Sequence, residues 1–261
     1  MSAFFSAQAA VAALFCSSLV SALMTSTSGA RAAELKVLST VALTPALDEL
    51  KPKFESNGNH LTIVYSTIAE LKKKIDGGET GDVIILSRPV LDDLATQAKV
   101  SQGSIVNVGA SYVAVGVRAG APVPDISTAE KLKAVLLAVK SISYADPARG
   151  GASGVYFAKV LDRLGITEEM KAKTTLVPNA QAGELVARGE VEMGVAQASE
   201  IAAVPGTVVV GPLPGDLNSR MIFAVGIGST SQNPEAAKAL IELLASPAGA
   251  ASLKAKGMDP P

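Results

Sequence analysis

The sequence predicts an α/β protein of two lobes, built from mixed, mainly parallel sheets flanked by helices, with a ligand cleft between the lobes. Short apolar runs alternate with amphipathic stretches of helical period, the pattern of strands joined by crossover helices. The runs are too apolar to leave one face in water, so helices must cover both sides of the sheet. Two Pro/Gly-rich stretches, "RAGAPVPDI" and "VPGTVVVGPLPGDLN", interrupt the alternation where the chain can pass between lobes.

Taken in order, the first thirty residues carry no charged side chain, and their apolar stretch "AAVAALFCSSLVSALM" ends at Ala30 and Ala32 in an A-x-A pattern. Residues 1–32 read as a secretory signal peptide, which predicts export to the periplasm. "ELKVLSTVAL" then reads as a strand and "TPALDELKPKFES" as a helix, with Thr44 as cap and Pro45 in its first turn. "HLTIVYST" with "IAELKKKIDGG", and "GDVIILSRP" with "VLDDLATQAK", repeat the unit. "YVAVGVR" is a further strand, and "STAEKLKAVLLAVK" opens a helix with Ser127 as cap and Glu130 at the capping-box spacing. "SISYAD", "GASGVYFAKVLDRLG", "TTLVPN", "AGELVARGE" and "VEMGVAQ" form a second strand and helix series. "RMIFAVGIG" supplies a last strand before the helices "NPEAAKALIELLAS" and "PAGAASLKAKG". This places lobe 1 at 33–117 and 207–261, and lobe 2 at 118–206.

Composition excludes several functions. The net charge of -1 excludes the basic surface that nucleic acid needs, so the expected partner is small. The single cysteine, Cys16, lies in the leader, and the single histidine is His60 in a polar turn. Thiolate metal sites, disulfides and His-dependent triads are therefore not expected, and neither a metal nor a cofactor is called for.

"SYADPARGGASGVYFAKVLDRLG", residues 143–165, carries the sharpest signal. Gly150, Gly151, Ala152, Ser153 and Gly154 lead into a long helix with almost no side chain to hold a ligand away, so free peptide N–H groups and the helix dipole can receive an anion. The same small residues also suit a tight turn that only packs well. Neither a G-x-S-x-G elbow nor a P-loop fits the spacing. Thr40 and Val41, Ser66 and Thr67, and Ser87 and Arg88 stand at three other strand ends, where α/β proteins collect ligands. Arg88 and Arg149 can each grip a carboxylate with paired hydrogen bonds.

The order of segments resembles the type II periplasmic solute-binding proteins, particularly the molybdate-binding components of ABC importers. "LTPALDELKPKFE", "GDVIILSRPVLDDL", "YADPARGGASGVYFAKVLDRLG", "MGVAQASEI" and "NPEAAKALIELLASPAGAASLKAKG" carry the likeness across nearly all of the chain beyond its leader. The resemblance implies a small oxyanion held between lobes by serine hydroxyls, backbone amides and often a tyrosine, and delivery to an importer permease. Three positions depart from that pattern: Ala42 stands where a serine is expected, the second entrance keeps only Ser66 and Thr67, and Gln197 stands in the tyrosine position. Ala180 or Gln181 falls where another backbone donor is expected. The reshaped pocket suits a molybdate-like oxyanion or an organic carboxylate, with Thr40, Val41, Ser66, Thr67, Arg88, Arg149, Ala152, Ser153, Gln181 and Gln197 as its expected ligand-binding residues. Relatives of this family include a periplasmic aconitate isomerase, so an isomerase acting on a tricarboxylate is the alternative. That reaction moves a proton at carbon, and Tyr144 and Asp146 are the nearest candidates to the loop, although Asp146-Pro147 also reads as turn chemistry.

Overall fold

The computed structural model describes residues 33–178 and 181–261. The leader expected at 1–32 and Ala180 lie outside them. No helix among the described residues is long and apolar enough to cross a membrane.

The first half of the chain alternates as expected: β1 (Glu34–Thr40), α1 (Thr44–Glu55), β2 (His60–Ser66), α2 (Ile68–Asp76), β3 (Val83–Ser87) and α3 (Arg88–Thr96). β4 follows at Val106–Arg118, then α4 (Ala129–Ala138), β5 (Ile142–Ala145), α5 (Ala152–Leu164), α6 (Thr167–Lys171), β6 (Thr174–Val177), α7 (Ala182–Arg188) and β7 (Met193–Gln197). The chain closes with α8 (Ala198–Ala202), β8 (Thr207–Pro212), β9 (Arg220–Ile227), α9 (Pro234–Ala245) and α10 (Pro247–Ala255). Two caps differ from expectation. Thr44 is already helical, because a 3-10 turn at Val41–Leu43 precedes α1. Thr128 rather than Ser127 caps α4, its side chain accepting the Lys131 N–H.

Strand order is β2-β1-β3-β9-β4-β7-β5-β6, with β8 also paired to β4. β1 is parallel to β2 and β3, and β5 is parallel to β6 and β7, whereas β9 is antiparallel to both β3 and β4. The sheet is therefore mixed, with its parallel strands grouped at the two ends. Lobe 1 is covered on both faces. Leu35, Val37, Val83 and Ile85 pack on one side with Leu47, Phe54 and Leu240, and Leu38, Ile84 and Leu86 pack on the other with Leu71, Leu91 and Leu94. The strict alternation of neighbours between two cores is the period of two of a strand buried on both faces. Lobe 2 repeats the arrangement, with Val113, Val115, Ile142 and Val195 against Phe157, Val160 and Leu161 of α5 on one side, and Ala114 and Ala196 against Val186 and Ile201 on the other.

The passage between lobes runs through β4 itself. Its residues 106–112 pair with β9, and residues 113–118 pair with β7 and β8. Residues 113–117 and Thr207–Pro212, expected in lobe 1, thus pack with the lobe 2 strands and core, and the Pro/Gly stretch after Arg118 is a loop at the end of β4. Glycine backbone at Gly109 and Gly116 lets β4 stay thin where Met258 and Ile201 pack on it. A Cβ at Gly116 would come within 2.6 Å of the Ile201 side chain.

Candidate functional site

Register brings the candidate residues together. β1 and β2 are paired from Glu34 and His60 through to Thr40 and Ser66, so they end level, and the turns after them emerge side by side. In lobe 2, β5 and β7 run parallel, and Gln197 at the end of β7 pairs with Val113 at the point where β4 enters that lobe. The entrances to α1, α2 and α5 therefore face a common space with the start of α8.

That space is lined by Thr40, Val41, Ala42, Thr67, Ile68, Met221 and Phe223 of lobe 1 and by Gly151, Ala152, Ser153, Gln197 and Glu200 of lobe 2. About 20 Å³ of it is open to the centre of a water molecule. One such molecule needs roughly 10–15 Å³ on that measure, so the inner cavity holds a group of carboxylate size. A wider region of about 460 Å³ shares Ile68, Ala152, Gln197 and Met221 with it and also meets Lys72, Ser87, Tyr156, Lys159 and Ser219. The lobes touch across the mouth. Gly150 has φ +76, and a Cβ there would lie 2.6 Å from the Ala69 Cβ of lobe 1.

The lining is rich in donors. No side chain caps α5, so the first N–H groups of a 13-residue helix open onto the cavity at Ala152 and Ser153. Thr67 lines the cavity and caps α2 by accepting the Glu70 N–H. Gln197 is 3% exposed and lines the cavity at the start of α8.

One acid sits among these donors. Glu200 lines the cavity, and its Oε2 accepts the Gln197 backbone N–H at 3.2 Å. Burial pushes its carboxyl up to about 7, against the opposing effect of that hydrogen bond. It can therefore hold or release a proton near neutral pH.

The structure separates the expected residues into two groups. Thr40, Val41, Thr67, Ala152, Ser153 and Gln197 line the inner cavity. Ser66, Arg88, Arg149 and Gln181 do not. The Ser66 hydroxyl donates to Glu70 within the α2 cap, and this bond, ahead of the Thr67 N–H and the nearby Arg149 charge, holds the Glu70 carboxyl below the usual range. Arg88 is held by Asp92, at 2.8 Å, and by Asn107 on the lobe 1 surface. Arg149 is exposed, and Gln181 is an exposed residue at the start of α7. Tyr144 is in the lobe 2 core with its ring edge-on to Phe157 at 5.2 Å, where burial raises its hydroxyl further. Asp146 caps the turn at Pro147–Arg149 by accepting the Ala148 N–H. Neither lies in the cavity. Sequence reasoning missed Glu200, whose place three residues after Gln197 is the ordinary spacing of a helix-capping acid. It also missed Ile68, Met221 and Phe223, which form the apolar side of the space.

The small residues around the start of α5 have distinct roles. Gly154 is there for packing, since a Cβ would lie 1.9 Å from the Ala145 carbonyl oxygen, and Gly150 permits the lobes to meet. Gly151, Ala152 and Ser153 face the cavity. No group of three or more His, Cys, Asp or Glu among the described residues is placed to hold a metal.

Two α/β lobes that share a long strand and enclose a cavity where helices begin have the architecture of the type II solute-binding fold. Solved structures of that kind match the chain. The periplasmic molybdate-binding protein of Azotobacter vinelandii gives a TM-score of 0.71 at 18% identity, covering 87% of this chain and 99% of that one. The sulfate-binding protein of Mycobacterium tuberculosis H37Rv gives 0.68 at 17%, covering 87% of each. At these identities the likeness is one of fold. Residues 35–259 match the bacterial extracellular solute-binding proteins, and the chain belongs to that family. An aconitate isomerase from a Pseudomonas species is 34% identical over 233 residues, 87% of each chain.

Proposed function

We propose that the protein binds a small polycarboxylate in the closed cleft and interconverts the double-bond isomers of aconitate, with Glu200 carrying the proton. The observation that supports this reading most strongly is a protonatable acid inside a cavity otherwise lined by neutral residues. A site that only holds an anion gains nothing from a carboxylate, which repels the ligand when ionised and costs desolvation in either case. A proton carrier needs such a group, with a proton affinity near the working pH.

The chemistry is balanced without a further reactant. Aconitate has a methylene group between a carboxylate and a carbon-carbon double bond, so loss of its proton leaves an electron pair spread over the allyl system and the adjoining carboxylates. The Glu200 carboxylate takes that proton. The resulting acid returns it to the former vinyl carbon, the double bond shifts by one position, and the new double bond can close in the opposite geometry. The N–H groups of Ala152 and Ser153 would stabilise the charge that builds on a bound carboxylate. Closure of the lobes would exclude water from the carbanion.

A second reading is supported by the family itself: a periplasmic component that binds an oxyanion or carboxylate and delivers it to an ABC importer permease. Its support is the cradle of hydroxyl and backbone donors, which binds an anion without any chemistry. One experiment separates the two. Purified protein is mixed with cis- or trans-aconitate in heavy water and followed by proton NMR. The isomerase reading expects each isomer to appear from the other. Protection against thermal unfolding with no isomer exchange supports the importer reading instead.

A further inference from the structure

We propose that Lys159 receives the distal carboxylate of the ligand and so selects polycarboxylates over shorter acids, a reading that rests on the carboxylate function proposed above. Ala152, Val155, Tyr156 and Lys159 all line the outer region of the cleft. They follow one another at helical spacing, so one face of α5 runs from the anion cradle to the Lys159 ammonium. Seven residues of helix rise by about 10.5 Å, and a lysine side chain leans back toward the helix N-terminus, which brings the ammonium toward the carboxylate held at Ala152 and Ser153.

The inner cavity accommodates a single carboxylate, so any polycarboxylate must extend into the outer region of about 460 Å³. Two lysines meet it there. Lys72 is already paired with Asp76 at 2.7 Å and with Asp93 at 3.2 Å. Lys159 has no carboxylate within ion-pair distance among the described residues, and the Tyr156 hydroxyl beside it donates to the Leu217 carbonyl at 3.2 Å. The unpaired cation at the far end of the cavity thus complements the uncapped helix start at the near end. The separation between them sets the length of acid that can engage both.

The test compares wild type, Lys159→Gln and Lys159→Arg for trans-aconitate binding by calorimetry, with thermal unfolding of the free proteins as the check on folding. Loss of one charge-assisted contact should weaken binding by about ten- to a hundredfold in the Gln variant. The Arg variant should recover most of the loss, and the Gln variant should lose part of the salt dependence of binding. If wild type binds and Lys159→Gln binds within twofold of it, the assignment of Lys159 is overturned while the carboxylate reading stands. If wild type binds neither aconitate nor another polycarboxylate, the proposed function fails and this assignment fails with it.

Discussion

Glu200→Gln replaces the acid of the cavity with a neutral group of the same shape that can still accept the Gln197 N–H. The folded protein holds the Glu200 proton up to about pH 7, whereas the ordinary value for the free side chain is 4.5. Between those values the folded form carries a proton that the unfolded chain has released, so stability falls as pH rises through the window. It is level below about pH 4.5, where both forms are protonated, and level again above about pH 7, where both are ionised. Each tenfold change in proton affinity corresponds to about 1.4 kcal/mol, so the full cost of ionising Glu200 in place is about 3 kcal/mol, and water entering the cavity would reduce it. The variant should therefore unfold at a temperature higher than wild type at pH 8, by up to about 6–12 °C, and at nearly the same temperature at pH 4.5. Differential scanning calorimetry from pH 4.5 to pH 8 reads this directly. In the proton-transfer assay the same variant should lose about 10²–10⁴ in turnover while binding trans-aconitate at least as tightly, since a negative charge has left the site. Parallel pH profiles for the two proteins would refute the buried-acid argument. Full turnover in the variant would refute the catalytic one.

Gly150→Ala should weaken ligand binding by tenfold or more with little change in the fold of either lobe, because a Cβ at φ +76 meets Ala69 across the mouth at 2.6 Å; equilibrium dialysis with labelled aconitate checks it. Gly154→Ala should destabilise the protein by about 1–3 kcal/mol, measured by urea unfolding, because α5 must move away from the Ala145 carbonyl, which would lie 1.9 Å from the new Cβ. Arg88→Gln should leave aconitate affinity within twofold of wild type, since Asp92 and Asn107 already occupy the guanidinium; a tenfold loss by calorimetry would return Arg88 to the site.

The lobe cores were legible because their signal is local. In "VIILS" every residue of β3 is buried, and neighbours go to opposite faces without any need to know the partner strand. The passage between lobes was not legible in the same way. "VNVGASYVAVGVR" reads as a strand only near its apolar end, because Gly109, Ala110 and Ser111 carry little side chain, and the change of partner from β9 to β7 and β8 leaves no local mark. β8 was hidden for a related reason. Its residues are only partly buried and lie in a Pro/Gly cluster, so its pairing with β4 rather than its own pattern makes it a strand.

The site divides along the same line. Thr40, Thr67, Ala152 and Ser153 could be named from sequence because a helix entrance after a parallel strand fixes backbone direction, and short side chains must stay where the backbone puts them. Long side chains are placed by their neighbours instead. Arg88 turned to Asp92, and Gln197 turned inward onto the start of α8. Glu200 is the instructive case, since its spacing from Gln197 is that of an ordinary capping acid, and it does accept the Gln197 N–H. What distinguishes it is the arrival of lobe 1 over the start of α8, which closes Thr40, Val41 and Met221 around a group that water would otherwise solvate. Lobe 1 residues help to shield this partly buried cap from water, so its proton affinity should be coupled to closure: whatever holds the cleft shut, Gly150 included, should also hold the proton on Glu200.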